Sequence, residues 1–146
     1  MTIYDKAKWH FEAVDQLGGQ RDDAYAPAAY FFAWAAENGL LSRERTEQLA
    51  VDIEKLRRRE IDGVRLLKVL DGVLASEDLS KDGDMFATSY FEYGAGLYMS
   101  DVRSRLPPGV TQELALGWRW AVYDELAPLI TKRYEQWRSG TLPDAL

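Results

Sequence analysis

Asp78, Ser80, Asp82 and Asp84 stand at alternate positions, with Gly83 sixth and Met85 eighth, a spacing at which oxygen ligands open a calcium-binding loop. The pattern fails where it should close. Its twelfth place, which needs a bidentate glutamate, is Ser89, and Glu92 comes three residues later than required. The same acids suit a capped turn between two helices, accepting from N–H groups that a helix start leaves free. Nucleophilic catalysis would need a base beside Ser or Thr, and His10 is the single imidazole of the chain. Zero cysteines remove thiol nucleophiles, disulfides, thiolate zinc and iron–sulfur ligation. Gly94-Ala95-Gly96 is only a fragment of a dinucleotide-binding loop, and neither a Walker loop nor a serine elbow occurs. Paired carboxylates stay open as a chemistry, since 24 acidic residues offer many pairs. No catalytic residue, metal or cofactor is assigned, and the alternative is a small-ligand protein or enzyme with a carboxylate-lined pocket.

The charge that remains is unevenly placed. Of a net −6, residues 71–101 hold seven acids (Asp71, Glu77, Asp78, Asp82, Asp84, Glu92 and Asp101) against Lys81 alone. Phe86, Tyr90, Phe91, Tyr93 and Tyr98 are interleaved with them. Such a surface repels phosphate backbones and attracts a basic protein or a cation, or else it is a solvated face that maintains solubility. Arg57-Arg58-Arg59 are accounted for by a helix C-terminus, where cations meet the dipole, so nucleic acid is not expected as a partner.

Helices must position these groups. Asp22 or Asp23 can cap a helix that carries Pro27 in its first turn and stops at Asn38-Gly39, with Tyr30, Phe31 and Trp34 facing inward. Alanines at 28, 29, 33, 35 and 36 would admit a close neighbour, which makes this the centre of the domain. Ser42 caps a helix through Leu49, Ile53 and Leu56, and Asp62-Gly63 starts another that ends near Ala75-Ser76. Phe86, Tyr90 and Tyr93 repeat at helical spacing over Met85 to Tyr98, with Gly94 and Gly96 breaking the helix. After the Pro107-Pro108-Gly109 loop, Thr111 to Trp137 is helical in pattern, kinked or divided at Pro128. Residues 1–20 read as a short helix or irregular lead-in. Runs of alternating β-branched residues and hairpin turns are absent. The expected fold is an all-α, single-domain bundle over residues 1–146, with about five to seven helices.

The chain opens Met1-Thr2-Ile3-Tyr4-Asp5 without an apolar signal region, and its longest uncharged run, Ala24 to Ala36, has 13 residues, short of a membrane span. A soluble, cytoplasmic protein is expected, with no membrane partner.

Tyr4-Asp5-Lys6-Ala7-Lys8-Trp9-His10 is dense in aromatic and charged groups. With Phe31-Phe32-Ala33-Trp34-Ala35, Glu37-Asn38-Gly39-Leu40, Phe86-Ala87 and Lys132-Arg133-Tyr134-Glu135-Gln136-Trp137, it resembles a family of small bacterial domains of unknown function that begin Tyr-Asp-Lys-Ala-Lys-Trp-His. These are similar to immunity proteins of polymorphic toxin systems. The resemblance implies that the chain binds and blocks a cognate toxin. It departs from the family where Ala13-Val14-Asp15-Gln16-Leu17-Gly18-Gly19 replaces a Gly-Asp-Phe-Pro-like turn, and near Pro27, where relatives often carry histidine. On this reading Glu77, Asp78, Asp82, Asp84 and Glu92 pair with a basic toxin, and exposed Tyr90, Tyr93 or Tyr98 anchor it. Tyr4 and Trp9 are expected to pack the N-terminus onto the bundle, with Asp5, Lys6 and His10 bonding helix ends. A module that self-associates through its aromatic surface is the third alternative, and the oligomeric state is open.

Overall fold

The computed structural model describes residues 2–91 and 96–144. In chain order the elements are β1 (Ile3–Lys6), α1 (Phe11–Gln16), α2 (Ala26–Glu37), α3 (Arg43–Gln48), α4 (Ala50–Arg57), α5 (Gly63–Lys68), β2 (Val73–Ala75), α6 (Lys81–Tyr90), α7 (Leu97–Arg103) and α8 (Trp120–Arg138). Single 3-10 turns lie at Ala7–His10, Arg21–Ala24, Ser76–Asp78 and Glu113–Ala115. The molecule is mainly α-helical, as its sequence indicates.

Every residue of α2 from Ala26 to Ala36 is buried, and a helix apolar on all sides can only be the centre of its domain. Its alanines set the packing distance. A Cβ on Gly63 would stand 2.7 Å from the Ala29 carbonyl oxygen, so α5 approaches α2 as closely as a missing side chain allows. Phe31 then sits inside a shell of Trp34, Phe86, Tyr90, Phe91 and Tyr98, with centroid distances of 5.3 to 6.4 Å, in tilted and edge-on pairings.

Ser42 and Asp62 cap their helices as expected, and Ser80 caps α6 where the neighbouring acids were expected to. Asp22 and Asp23 do not cap α2, which begins at Ala26 after Tyr25 with no side-chain cap, because both lie in the preceding 3-10 turn. Ser42 Oγ accepts from Arg45 N–H at 3.2 Å, Asp62 Oδ1 from Arg65 N–H at 2.9 Å, and Ser80 Oγ from Gly83 N–H at 3.1 Å. Gly39, with φ of 69°, ends α2 as expected.

Four expectations change. β1 and β2 form a short antiparallel sheet that pairs Ile3 with Ala75, Asp5 with Leu74 and Lys6 with Val73, and no hairpin turn announces it because the strands lie far apart in the chain. The helix from Gly63 stops at Lys68, not near Ala75, since Asp71 (φ 55°) and Gly72 (φ 74°) turn left-handed and release the chain into β2. The helix after Ser42 divides at Leu49 into α3 and α4, which brings the described α-helices to eight. Thr111–Arg119 contributes only the 3-10 turn, and Pro128 neither ends nor divides α8. It is exposed, so its ring displaces no packed neighbour. No described helix is long and apolar enough to cross a membrane.

Candidate functional site

The acidic segment splits between interior and surface. On α6, Gly83, Phe86, Ala87 and Tyr90 face the core, which leaves Asp82, Met85 and Ser89, at helical spacing, on the outward stripe. Met85 is 51% exposed. Tyr90 and Tyr98, expected as exposed anchors, are instead fully enclosed: Tyr90 stacks on Phe86 and Tyr98 on Phe91. Their hydroxyls are spent internally, Tyr98 donating to the Pro27 carbonyl and Tyr90 to Asp101 Oδ2 at 2.7 Å. Burial, first of all, pushes both phenols far above the usual range, so they stay neutral.

Asp78 is a second correction. It is 2% exposed, accepts from Ala75 N–H at 2.8 Å and from Arg45 Nε at 2.8 Å, and therefore meets no partner. Asp84 is half-buried and committed to Tyr4, whereas Glu77 and Asp82 are exposed. Glu92 and Tyr93, together with Gly94-Ala95, lie outside the described residues. The calcium-like spacing of 78–84 does not converge, because α6 starts at Lys81 while Asp78 turns to Arg45 and Asp84 to Tyr4. Among the described residues no group of three or more metal-ligating side chains is placed to hold an ion.

Of the N-terminal residues, Asp5 meets His10 and Lys6 meets Trp9, while Tyr4 turns away to α6, an arrangement their spacing did not reveal. Tyr4 is buried edge-on against Phe91, and its hydroxyl donates to Asp84 Oδ1 at 2.5 Å with Thr88 Oγ1 2.9 Å away. Burial and then Asp84 push the phenol up to about 12. Asp5 and His10 were expected to bond helix ends. They bond each other, His10 Nε2 lying 2.6 Å from Asp5 Oδ1. The Asp5 hydrogen bond holds the imidazole above its usual pKa against the opposing effect of burial. Trp9 does not pack the N-terminus down: it is 49% exposed, with Lys6 Nζ 5.8 Å from its ring centroid.

Two arginines, which sequence reading did not single out, hold the buried acids Asp78 and Asp101. Arg45 takes Asp78, and Arg133 takes Asp101. Charge balance alone hinted at them, since a buried carboxylate requires a partner.

An open cleft of about 200 Å3 lies at the foot of the acidic segment. Its lining includes the paired Arg45 and Asp78, and its rim the exposed Asp71, Glu77 and Val69, the last at 43%. Ligand pockets usually run from about 300 to 1,000 Å3, so this concavity suits one long side chain better than a free molecule. Comparison with curated proteins and with solved structures gives no match. Residues 3–114, most of the chain, match the Domain of unknown function (DUF7832), and the chain belongs to that family.

Proposed function

We propose that this protein is a binding module that occludes a basic protein partner, in the manner of the immunity proteins that neutralise a cognate toxin. The observation that carries the reading is the cleft beside exposed Val69, flanked by the exposed acids Asp71 and Glu77, with Asp82 following in the first turn of α6. A cationic side chain entering it would lay its methylenes on Val69 and its charge between the carboxylates. Met85 replaces the buried tyrosines as the apolar contact on α6.

The test is co-expression with the product of an adjacent toxin-like gene. Restored growth is expected, and the Glu77→Lys/Asp82→Lys variant should associate more slowly and with a flatter salt dependence. Absence of protection by the unaltered protein overturns the reading, and protection that is indifferent to the double reversal moves the contact surface elsewhere.

A further inference from the structure

The N-terminal segment 3–16 is held by the β1–β2 pairing, by Tyr4 in the main core and by a smaller apolar cluster. Ala7, Val14 and Ala24 form a small cluster separate from the main core, with Phe11, Tyr25 and Leu114 packed against it. Beside these contacts, one buried polar group of the segment makes its docking depend on charge. That group is Asp5. Its side chain is only 7% exposed, Oδ1 contacts His10, and Oδ2 is buried with no hydrogen-bond partner among the described residues. One imidazole is thus the counter-group of a carboxylate removed from water.

We propose that protonation of His10 compensates the buried Asp5 carboxylate on β1, so that pH near neutrality sets how firmly the N-terminal segment 3–16 keeps its docked position. With His10 charged, Asp5 has an ion-pair partner at 2.6 Å. With His10 neutral, the buried carboxylate retains one uncharged donor and loses the compensation that makes its burial tolerable. The geometry places the switch at a corner, because Asp5 is on β1 while His10 ends the 3-10 turn and begins α1.

The other charges around His10 are mostly committed. On the turn 113–115, Glu113 is held by Arg103 of α7 and adds to the attraction for a proton. On the turn 21–24, Arg21 pairs with Asp15 of α1, Asp22 pairs with Lys68 of α5, and Asp23 accepts from Gln20 N–H. Lys6 and Lys8 on its own stretch and Glu12 on α1 complete the set, Lys8 and Glu12 being exposed. Asp5 and Glu113 favour imidazolium and burial opposes it, with the Asp5 bond dominant. A folded-state pKa raised above 6.5 gives docking that is complete below that value and is lost as pH rises through the folded pKa.

His10 is the only histidine, so its ring carbon and proton NMR signals report one group without assignment. The imidazole is expected to titrate above 6.5. Amide protection over residues 3–16, corrected for intrinsic exchange, should fall through the same pH range while α2 stays protected. About a tenfold loss is expected if the ring titrates one pH unit above its free value. His10→Gln should remove the pH dependence, and Asp5→Asn should return the ring toward its free value. Should Asp5→Asn fail to fold, the unaltered protein and His10→Gln decide. An imidazole titrating at or below 6.5, or protection of 3–16 that parallels α2 at every pH, overturns the proposal.

Discussion

Arg133 grips Asp101 with two parallel hydrogen bonds, Nε to Oδ2 at 2.9 Å and Nη2 to Oδ1 at 3.0 Å, while Tyr90 donates to the same carboxylate. The planar fork of guanidinium matches both oxygens, and the clamp joins α6, α7 and α8 where Asp101 is 4% exposed.

Removing the cation should therefore leave an uncompensated buried charge. Arg133→Met is expected to cost about 3 kcal/mol or more in urea unfolding. Asp101→Asn with Arg133→Met should recover part of that loss, since the double change removes both charges. Equal stability of Arg133→Met and the unaltered protein would show the clamp to be idle.

Tyr4→Phe keeps the ring against Phe91 but deletes the hydroxyl shared with Asp84 and Thr88. A loss of about 1 to 2 kcal/mol is expected, because Asp84 is half-buried and water replaces the phenol only in part. Amide exchange should place the loosening in β1. A change spread evenly over all helices would contradict that localisation.

Gly63→Ala should destabilise by roughly 1 to 3 kcal/mol, although alanine is the better helix former. The added methyl would meet the Trp118 ring at 2.6 Å and the Ala29 carbonyl oxygen at 2.7 Å. Neither yields cheaply, since one is α2 backbone and the other is stacked on Tyr30 at 4.4 Å. A gain in melting temperature would mean that α5 can move away from α2.

Glu113 supplies an acid-side pH dependence. Its bond to Arg103 lowers its pKa, partly opposed by burial, so its contribution is present above the unfolded carboxylate pKa and is lost as pH falls through the folded one. Arg103 is 48% exposed, which limits the effect to about 1 kcal/mol at most. Stability of Glu113→Gln measured between pH 3 and 7 (roughly spanning the carboxylate range) should show a shallower acid-side slope than the unaltered chain. Identical slopes would exclude this pair from the titration.

Local signals in the sequence were enough for the helical class, the burial of α2, and the caps at Ser42 and Asp62, because each depends on neighbours within about one or two turns. The acids of 71–101 were equally plain as a count. Which of them face water was not, since Asp78 and Asp101 are drawn inside by Arg45 and Arg133, 33 and 32 residues away in the chain. Nor could spacing separate Met85 from Tyr90 as the exposed residue, until the shell around Phe31 fixed which side of α6 is inward. The β1–β2 pairing and the Asp5–His10 contact were likewise decided by the tertiary structure. Periodicity gives a residue a face, but only the position of distant partners determines whether that face meets solvent, a ring or an opposite charge.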